Sequence, residues 1–233
     1  MAWLRHDLIA DALEGADGRL LEVGCGQGAM GARLARRFSY VGVEPDPASA
    51  TIARHRLERI PGAALEQRII DQPGDGSFDV VCAFEVLEHI DDDLRALELW
   101  RSHLRPGGRL VLSVPAWQHR FGPADVHVGH FRRYEPSALR ARLSDTGYEV
   151  GWIRTYGFPL GYALEFFRDL IAQRRDDHGT VAAASGGSGR FLQPPAWMAW
   201  IPWLVTLPFR GLQRLYMTGR LGTGLVALAR RQD

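Results

Sequence analysis

The sequence predicts an α/β fold: a Rossmann-like, doubly wound and mostly parallel sheet with helices on both faces. Strand and helix patterns alternate along residues 19–155, as parallel βαβ units require. A glycine-rich turn directly follows the first strand pattern, at the place where such sheets bind ligands. The 233 residues are 46% hydrophobic, so the chain can bury one substantial core and carry one further segment.

Each predicted element has its own local signal. The segment 78–84 is almost entirely apolar, which indicates a central strand buried on both faces. Pro47 opens one predicted helix, and the helical pattern of 92–104 stops before Pro106-Gly107-Gly108. The predicted strands lie at 19–23, 40–43, 65–70, 78–84, 109–114, 148–155 and 223–230. The predicted helices lie at 1–15, 29–38, 47–59, 92–104 and 136–146.

Two domains of unequal size are expected. Residues 1–157 and 223–233 form the main domain, and a helical insertion at 158–222, too long for a simple connection, interrupts it before the last strand. The insertion divides into an amphipathic helix at 160–175, a flexible Ala, Gly and Ser linker at 176–190, and a segment at 191–220. We expect it to form a cap over the ligand side of the sheet.

The last part of the insertion is rich in Trp, Leu, Pro and Arg. Its apolar run, 196–209, contains two prolines and is shorter than the roughly 20 residues that span a bilayer, so it is not a transmembrane helix. Its three tryptophans, followed by arginines, are typical of peripheral membrane contact and equally of a lid over a lipophilic ligand. A hairpin that packs on the core or forms a homodimer through 191–220 fits as well.

Composition narrows the partners and the compartment. The 28 Lys and Arg residues nearly balance the 27 Asp and Glu residues, and a net charge of +1 disfavours nucleic acid as the main partner. Cys25 and Cys82 do not form a disulfide framework and are expected to be reduced thiols. The start of the chain lacks the unbroken apolar stretch of a secretory signal, so a cytoplasmic location is expected.

The first chemical motif is Glu22-Val23-Gly24-Cys25-Gly26-Gln27-Gly28, between a strand and a helix. Its glycines allow a sharp turn and a close approach of the ligand, while the next helix offers free N–H groups. Glu44 ends the second strand, where a carboxylate can accept hydrogen bonds from both ribose hydroxyls of an adenosine. The alternatives are a plain tight turn and a solvated carboxylate. Because Gly24-x-Gly26-x-x-Ala29 also fits the looser dinucleotide pattern, a nicotinamide enzyme stays open here.

Four segments resemble the successive motifs of class I S-adenosylmethionine-dependent methyltransferases. They are LEVGCGQG at 21–28, VGVEPD at 41–46, FDVVCAFEVLEHIDD at 78–92 and LRPGGRLVLSVP at 104–115. The last two are especially similar to the subgroup that contains the ubiquinone-biosynthesis O-methyltransferases. The resemblance implies S-adenosyl-L-methionine as the cofactor.

The resemblance also implies which residues bind the cofactor. Glu22 would support its methionine end, Glu44 its ribose and Asp71 its adenine amino group, although the linker around Asp71 departs from the family pattern. Ala83 and Phe84, at the end of the fourth strand, would lie beside the methionine moiety. The floor of the site would be Gly24, Cys25, Gly26 and Gly28.

The acceptor is expected to bind near 117–134, which follows the fifth strand at the carboxyl edge of the sheet. This segment carries three histidines, His119, His127 and His130, and an aspartate. A neutral imidazole suits a general base, so His127 and His130 are the predicted bases, and Tyr134 is predicted to orient the acceptor. The alternative is that these side chains only fix the loop to the core.

A metal interpretation rests on Glu85, Glu88 and His89, followed by three aspartates at 91–93. Related quinone-type O-methyltransferases can use a divalent ion near this position. The aspartates equally suit the start of a helix, where carboxylates cap free N–H groups. We expect no metal.

Together these patterns predict a methyltransferase that acts on a small, hydrophobic or aromatic acceptor, with O-methylation favoured. N- or C-methylation, or a protein of this fold that binds the cofactor without transferring a methyl group, are the alternatives. A nicotinamide oxidoreductase ranks below them.

Overall fold

The computed structural model describes residues 2–173 and 221–233. The strands are β1 (Arg19–Val23), β2 (Ser39–Val43), β3 (Ala63–Glu66), β4 (Phe78–Phe84), β5 (Leu104–Pro115), β6 (Tyr148–Tyr156) and β7 (Gly224–Arg231). The helices are α1 (Ala2–Ala12), α2 (Gly31–Leu34), α3 (Pro47–Leu57), α4 (Asp93–His103), α5 (Pro123–Val128), α6 (Pro136–Asp145) and α7 (Leu160–Gln173). Short 3-10 helices cover Leu87–His89 and Gln118–Arg120.

The strands form one seven-stranded sheet in the order β3-β2-β1-β4-β5-β7-β6. The first five strands of this order pair in parallel, and β7 pairs antiparallel with both β5 and β6. The predicted α/β class, with a mostly parallel doubly wound sheet, is confirmed.

The central strand β4 is buried on both faces, as its apolar sequence predicts. Val81 and Ala83 belong to a core cluster on one face, and Val80 and Cys82 belong to a second cluster on the other face. The first cluster packs against α4 and α6, and the second packs against α1. Side chains alternate across a strand, so this one segment joins both halves of the core.

Helix α1 covers the second cluster with a stripe of apolar side chains. Leu4, Leu8, Ile9 and Ala12 are buried, and this spacing places them on one side of a helix. The amphipathic helix predicted near the start of the chain is therefore present.

The third strand lies earlier than predicted, at Ala63–Glu66 instead of 65–70. It pairs in parallel with β2 at the edge of the sheet. The apolar pair Ile69 and Ile70 suggested a strand, but Ile69 is 65% exposed and Ile70 packs into the core from a loop. The predicted strand ends too late because Ile70, an apolar residue, anchors a loop to the core and does not belong to a strand.

Two other boundaries differ from the prediction. The helix expected at 29–38 contains only the single turn α2, and hydrogen-bonded turns continue it to Phe38. Strand β5 starts at Leu104 instead of 109. Leu104 pairs with Phe78 of β4, and the register shifts before Val80 pairs with Arg109. Pro106-Gly107-Gly108 therefore lies inside a bulged strand and does not precede one.

The first helix of the insertion is present as α7 (Leu160–Gln173), and its predicted end at 175 lies outside the described residues. The predicted linker at 176–190 and the Trp-rich segment at 191–220 lie outside the described residues. Within the described residues, none of the helices has the length and apolar character needed to cross a membrane.

Candidate active site

The carboxyl edge of the parallel strands gathers the predicted site residues. Strands β1, β2, β4 and β5 run in the same direction, so the loops that follow them meet along one edge of the sheet. These loops are 24–30, named here the glycine loop, 44–46, 85–92, and 116–135, named here the histidine loop.

Three residues of the glycine loop have left-handed backbone conformations. The φ angles of Gly24, Gly26 and Gly28 are 65°, 55° and 73°, a region that favours glycine. A Cβ on Gly24 would lie 2.6 Å from Cγ2 of Val86, whereas a Cβ on Gly26 would meet no heavy atom within 4 Å. Gly24 thus allows two loops to pack closely, and Gly26 leaves an open backbone surface that a ligand can approach.

The backbone of Cys25, more than its thiol, holds the glycine loop in place. Its N–H donates to the carbonyl oxygen of Val43 at 3.1 Å, which ties the glycine loop to β2. The side chain is buried, and burial, with the nearby carboxylates of Glu22 and Glu44, raises the pKa of the thiol to about 12. Cys25 therefore stays a neutral thiol at physiological pH.

Glu44 joins the loops after β1 and β2. Its Oε2 accepts a hydrogen bond from the N–H of Gly26 at 2.8 Å, and its Oε1 accepts one from the N–H of Asp46 at 2.9 Å. The predicted ribose carboxylate is thus fixed beside the glycine loop, and each of its oxygens keeps a second lone pair for a ligand hydroxyl.

Glu22 lies inside β1 with 2% of its surface exposed. The hydroxyl of Tyr40 donates to its Oε2 at 2.6 Å. Burial raises the pKa of Glu22 to about 7, against the opposing effects of this hydrogen bond and of the positive charge of Arg5. The predicted residue at the methionine end therefore carries a proton for part of the time at neutral pH.

The remaining predicted cofactor residues differ in their surroundings. Ala83 is buried and pairs with Val23, so it lies directly beside the end of β1. Phe84 is also buried, and the guanidinium carbon of Arg5 lies 5.5 Å from its ring centre. Asp71 is exposed in the loop after β3. Its predicted contact with adenine stays a prediction.

Glu85, directly after β4, is held by long-range contacts that the sequence did not indicate. Its backbone has a φ of 59°, a strained conformation for a residue other than glycine. Its Oε1 accepts hydrogen bonds from Ser113 Oγ at 2.8 Å and Tyr156 Oη at 2.9 Å, and Arg5 Nη1 lies 2.9 Å away. Burial disfavours its ionisation, but the charge of Arg5 and these hydrogen bonds lower the pKa of Glu85 overall.

His130 is the predicted base that the structure holds most firmly. Its Nδ1 lies 2.7 Å from Oδ1 of Asp125, and only 8% of its side chain is exposed. Although burial opposes its ionisation, hydrogen bonds from His130 and Arg133 keep the pKa of Asp125 well below its usual range. An ionised carboxylate only accepts hydrogen bonds, so Nδ1 donates to Asp125, and in a neutral ring the lone pair is on Nε2, which lies 3.9 Å from Oε1 of Glu88.

The other two histidines of the histidine loop have looser settings. His127 lies on α5 and is half-buried, and among the described residues no hydrogen bond engages its ring. The side chain of His119 is 72% exposed, and its Nδ1 lies 3.9 Å from Glu135. The predicted role of His127 stays a prediction, without the oriented ring that His130 has.

Tyr134 and the aspartates at 91–93 hold elements together. The Tyr134 hydroxyl is buried and donates to Oδ2 of Asp93 at 2.9 Å, an oxygen that Arg142 also binds at 2.6 Å. Asp92 caps α4 by accepting from the N–H of Arg95. The capping interpretation of the aspartates is thus observed for Asp92, while the predicted contact of Tyr134 with an acceptor stays a prediction.

Glu88 has surroundings unlike those of the other carboxylates. It is fully buried, and neither carboxylate oxygen has a hydrogen-bond partner among the described residues. Burial and the negative charge of Glu85 raise the pKa of Glu88 well above its usual value. One ligand atom from each of Glu88, His89 and His130 lies within 4.8 Å of the others, so the three could hold a metal ion. An orphaned buried carboxylate beside two imidazoles fits a divalent cation.

The sequence interpretation missed several residues that shape the site. Arg5 and Tyr156 reach Glu85 from α1 and β6, and Glu165 of α7 lies in a buried ion pair with Arg133. Asp125 was noticed among the histidines but given no role. Its spacing of five residues from His130, across the turn that ends α5 at Gly129, was the available signal.

A seven-stranded sheet of this order, with a glycine loop after β1 and an acidic residue after β2, is typical of α/β proteins that bind a nucleotide-like cofactor. A family model described as a methyltransferase domain matches residues 4–151, and the chain belongs to this family. The predicted resemblance to class I S-adenosylmethionine-dependent methyltransferases and the predicted cofactor, S-adenosyl-L-methionine, are confirmed. The nicotinamide alternative finds no support.

The chain is similar to methyltransferases of different named activities. The ubiquinone biosynthesis O-methyltransferase of Alkalilimnicola ehrlichii is 35% identical over 117 residues, which cover 48% of this chain and 47% of that protein. The trans-aconitate 2-methyltransferase of Deinococcus radiodurans is 36% identical over 177 residues, which cover 76% of this chain and 63% of that protein. The chain thus spans less than two thirds of either relative.

Among solved structures, the geranyl diphosphate C-methyltransferase of Streptomyces coelicolor A3(2) matches with a TM-score of 0.62. The match covers 97% of this chain and 76% of the other, at 18% sequence identity, so the likeness is one of fold.

Proposed function

We propose that the chain methylates an oxygen of a small, hydrophobic or aromatic acceptor, with His130 as the general base. The observation that carries this proposal is the fixed imidazole at the carboxyl edge of the sheet, with Nδ1 held by Asp125 and Nε2 3.9 Å from Oε1 of Glu88. The name of one curated relative, a ubiquinone biosynthesis O-methyltransferase, supports an oxygen acceptor.

The cofactor-binding residues of this proposal lie around the glycine loop. Glu44 holds the ribose through the free lone pairs of its carboxylate, Gly26 offers the open backbone surface, and Glu22 lies at the methionine end. When bound, S-adenosylmethionine supplies a methyl group on a positively charged sulfur. Ala83 and Phe84 provide apolar surface beside it, and Asp71 contacts the adenine.

The protein has few catalytic tasks, because displacement at a sulfonium requires only that the acceptor is positioned and loses one proton. Transfer would break the bond from the methyl carbon to sulfur as the bond to the acceptor oxygen formed. The acceptor proton moves to Nε2 of His130, and the ionised Asp125 stabilises the resulting imidazolium. His130 later returns this proton to solvent.

Exposed apolar side chains support a hydrophobic acceptor. Val126, Phe131, Phe166 and Phe167 are each more than half exposed, and they belong to the histidine loop and to α7, where α5 and α7 pack together. Exposed apolar groups concentrated in one region mark a binding surface. The segment 191–220 would add a lid, a peripheral membrane contact or a homodimer interface to this region.

The proposal is tested by incubating the chain with S-adenosylmethionine and three probes: a catechol, trans-aconitate and a primary aromatic amine. Mass spectrometry of the products identifies the methylated atom. We expect methylation of an oxygen of the catechol, and S-adenosylhomocysteine release in step with it. Methylation of trans-aconitate alone, a polar acceptor whose carboxylates need no base, would contradict both the hydrophobic acceptor and the role of His130. Methylation of the amine alone would make the chain an N-methyltransferase.

A divalent cation is a second way to activate the acceptor, favoured by the cluster of Glu88, His89 and His130. A bound cation would lower the pKa of an acceptor hydroxyl and would occupy the nitrogen that otherwise takes the proton. Exhaustive chelation separates the two routes: activity that survives chelation assigns the proton to His130, and activity that returns only with Mg²⁺ or Mn²⁺ assigns the cluster to a metal.

A further inference from the structure

A buried network of charged groups crosses from the histidine loop to the first helix of the insertion. Arg133 lies at its centre, with 1% of its side chain exposed. Its Nε and Nη2 lie 2.9 and 2.7 Å from Oδ2 of Asp125, and its Nη1 lies 2.9 Å from Oε1 of Glu165 on α7. Arg120 binds the other oxygen of Glu165. One guanidinium therefore contacts both the carboxylate that orients His130 and a carboxylate of the insertion.

The position of Glu165 on α7 is unusual for an amphipathic helix. Glu165 is 5% exposed, while its neighbours Phe166 and Phe167 are 66% and 59% exposed. The helix thus turns a carboxylate inward and two phenylalanines outward. Burying an ion pair costs desolvation free energy that its own attraction seldom exceeds, so stability gives little reason for this arrangement. A specific docking geometry for α7 is the better explanation.

The charges of this network balance without His130. Asp125 and Glu165 contribute two negative charges, and Arg120 and Arg133 contribute two positive charges. With Glu165 neutral, Asp125 would be the one charged carboxylate left in this network, facing two guanidinium groups. The carboxylate that holds Nδ1 of His130 would then be drawn towards them and away from the ring.

We propose that Glu165 is a positioning residue that acts through Arg133 and Asp125, so that His130 is oriented only when α7 is docked against the histidine loop. The first helix of the insertion thereby prepares the base. This proposal rests on the proposed function for its catalytic consequence, but the orientation of the His130 ring can be observed without any reaction. The groups that face the ring are Asp125, Glu88 and His89.

The contact between Arg120 and α7 gives a second link between the same two elements. The guanidinium carbon of Arg120 lies 4.0 Å from the ring centre of Tyr162, one turn before Glu165 on the helix. Cation–π contact adds to the ion pair and fixes the face that α7 presents to the loop. Two independent contacts thus set the same docking geometry.

The test uses the full chain with Glu165→Gln, which keeps the size of the side chain and removes its charge. The matched control is Glu149→Gln, a change at an exposed glutamate of β6. ¹⁵N NMR of histidine-labelled protein reports which ring nitrogen of His130 carries the proton. We expect a single Nδ1–H form in the unmodified chain and in the control, and a mixture of both forms in Glu165→Gln.

Activity gives the second readout. Glu165→Gln should lower kcat roughly tenfold and leave the affinity for S-adenosylhomocysteine unchanged. If Glu165 acts through Asp125, the double variant Asp125→Asn/Glu165→Gln should lose no more kcat than Asp125→Asn alone. Fully additive losses, or an unchanged NMR signal of His130 in a folded Glu165→Gln protein, would overturn the proposal.

The experiments distinguish a failure of this positioning proposal from a failure of the proposed function. If His130→Ala keeps full activity while Glu165→Gln still changes the His130 tautomer, the base is wrong and the positioning network is right. Should Glu165→Gln prove unstable, Glu165→Asp keeps the charge on a shorter side chain, and it should restore the Nδ1–H form more fully than it restores thermal stability.

Discussion

The cofactor side and the acceptor side of this molecule are built in different ways. Around the glycine loop, the decisive contacts are made by backbone groups, such as the N–H of Gly26 and of Asp46 on Glu44. Around the histidine loop they are made by side chains from distant parts of the chain, as when Arg133 joins Asp125 to Glu165. Backbone contacts suit a cofactor that is the same in every reaction. Side-chain contacts can be substituted to suit each acceptor without altering the sheet.

The largest expected effect concerns the buried carboxylate on the cofactor side. The pKa of Glu22 is raised from 4.5 to about 7, so the folded state retains a proton that the unfolded state loses. The stability this gives is complete below pH 4.5 and is lost as pH rises through about 7. A shift of this size corresponds to about 3 kcal/mol in the free energy of unfolding.

Glu22→Gln tests this, because an amide oxygen still accepts the hydrogen bond of Tyr40 but does not titrate. Urea unfolding at pH 4.5 and pH 8 should show that the variant gains about 3 kcal/mol relative to the unmodified chain as pH rises. Glu149→Gln, at an exposed site, should show no such gain. If the free energy of unfolding changed equally with pH in Glu22→Gln and in the unmodified chain, Glu22 would be ionised in the folded state.

The next effect is on the acceptor side. His130→Ala should lower turnover by roughly a hundredfold or more, because it removes the oriented base, and should leave S-adenosylhomocysteine affinity nearly intact. His127→Ala, at a ring without a hydrogen-bond partner among the described residues, should lower turnover less. Steady-state kinetics and calorimetry on both variants decide this. Equal losses of turnover and affinity in His130→Ala would indicate a structural role instead.

The same contrast explains what the sequence could predict. The glycine loop, Glu22, Glu44 and the ends of β1 and β4 are contiguous motifs, so their local pattern located them. Arg5, Tyr156 and Glu165 meet their partners across more than thirty positions of the chain, and no local pattern encodes such contacts. The edge strand β3 was placed wrongly because Ile70 packs from a loop, which periodicity alone cannot distinguish from a strand.

A smaller effect is expected at the ribose carboxylate. Glu44→Ala should weaken S-adenosylhomocysteine binding by roughly 1.5–3 kcal/mol, because charged hydrogen bonds to two hydroxyls are lost. Titration calorimetry measures this directly, with NAD as the negative control. Glu66→Ala, at the exposed end of the neighbouring strand β3, provides a matched removal of a carboxylate. Unchanged affinity in Glu44→Ala would place the ribose elsewhere.

The smallest effect is expected at Cys25, and it separates backbone from side-chain contributions on the cofactor side. Because burial raises the pKa of its thiol to about 12, Cys25 should resist iodoacetamide at pH 8 in the folded chain. Cys25→Ala keeps the N–H that donates to Val43, so S-adenosylhomocysteine affinity should change by less than about 0.5 kcal/mol. Gly26→Ala, one residue further, should reduce affinity much more, since its φ of 55° strains any side chain and its Cβ would enter the open surface. The opposite result would be a large loss of S-adenosylhomocysteine affinity in Cys25→Ala and a small loss in Gly26→Ala. It would show that side chains of this loop recognise the cofactor, and the contrast between the two sides of the molecule would then fail.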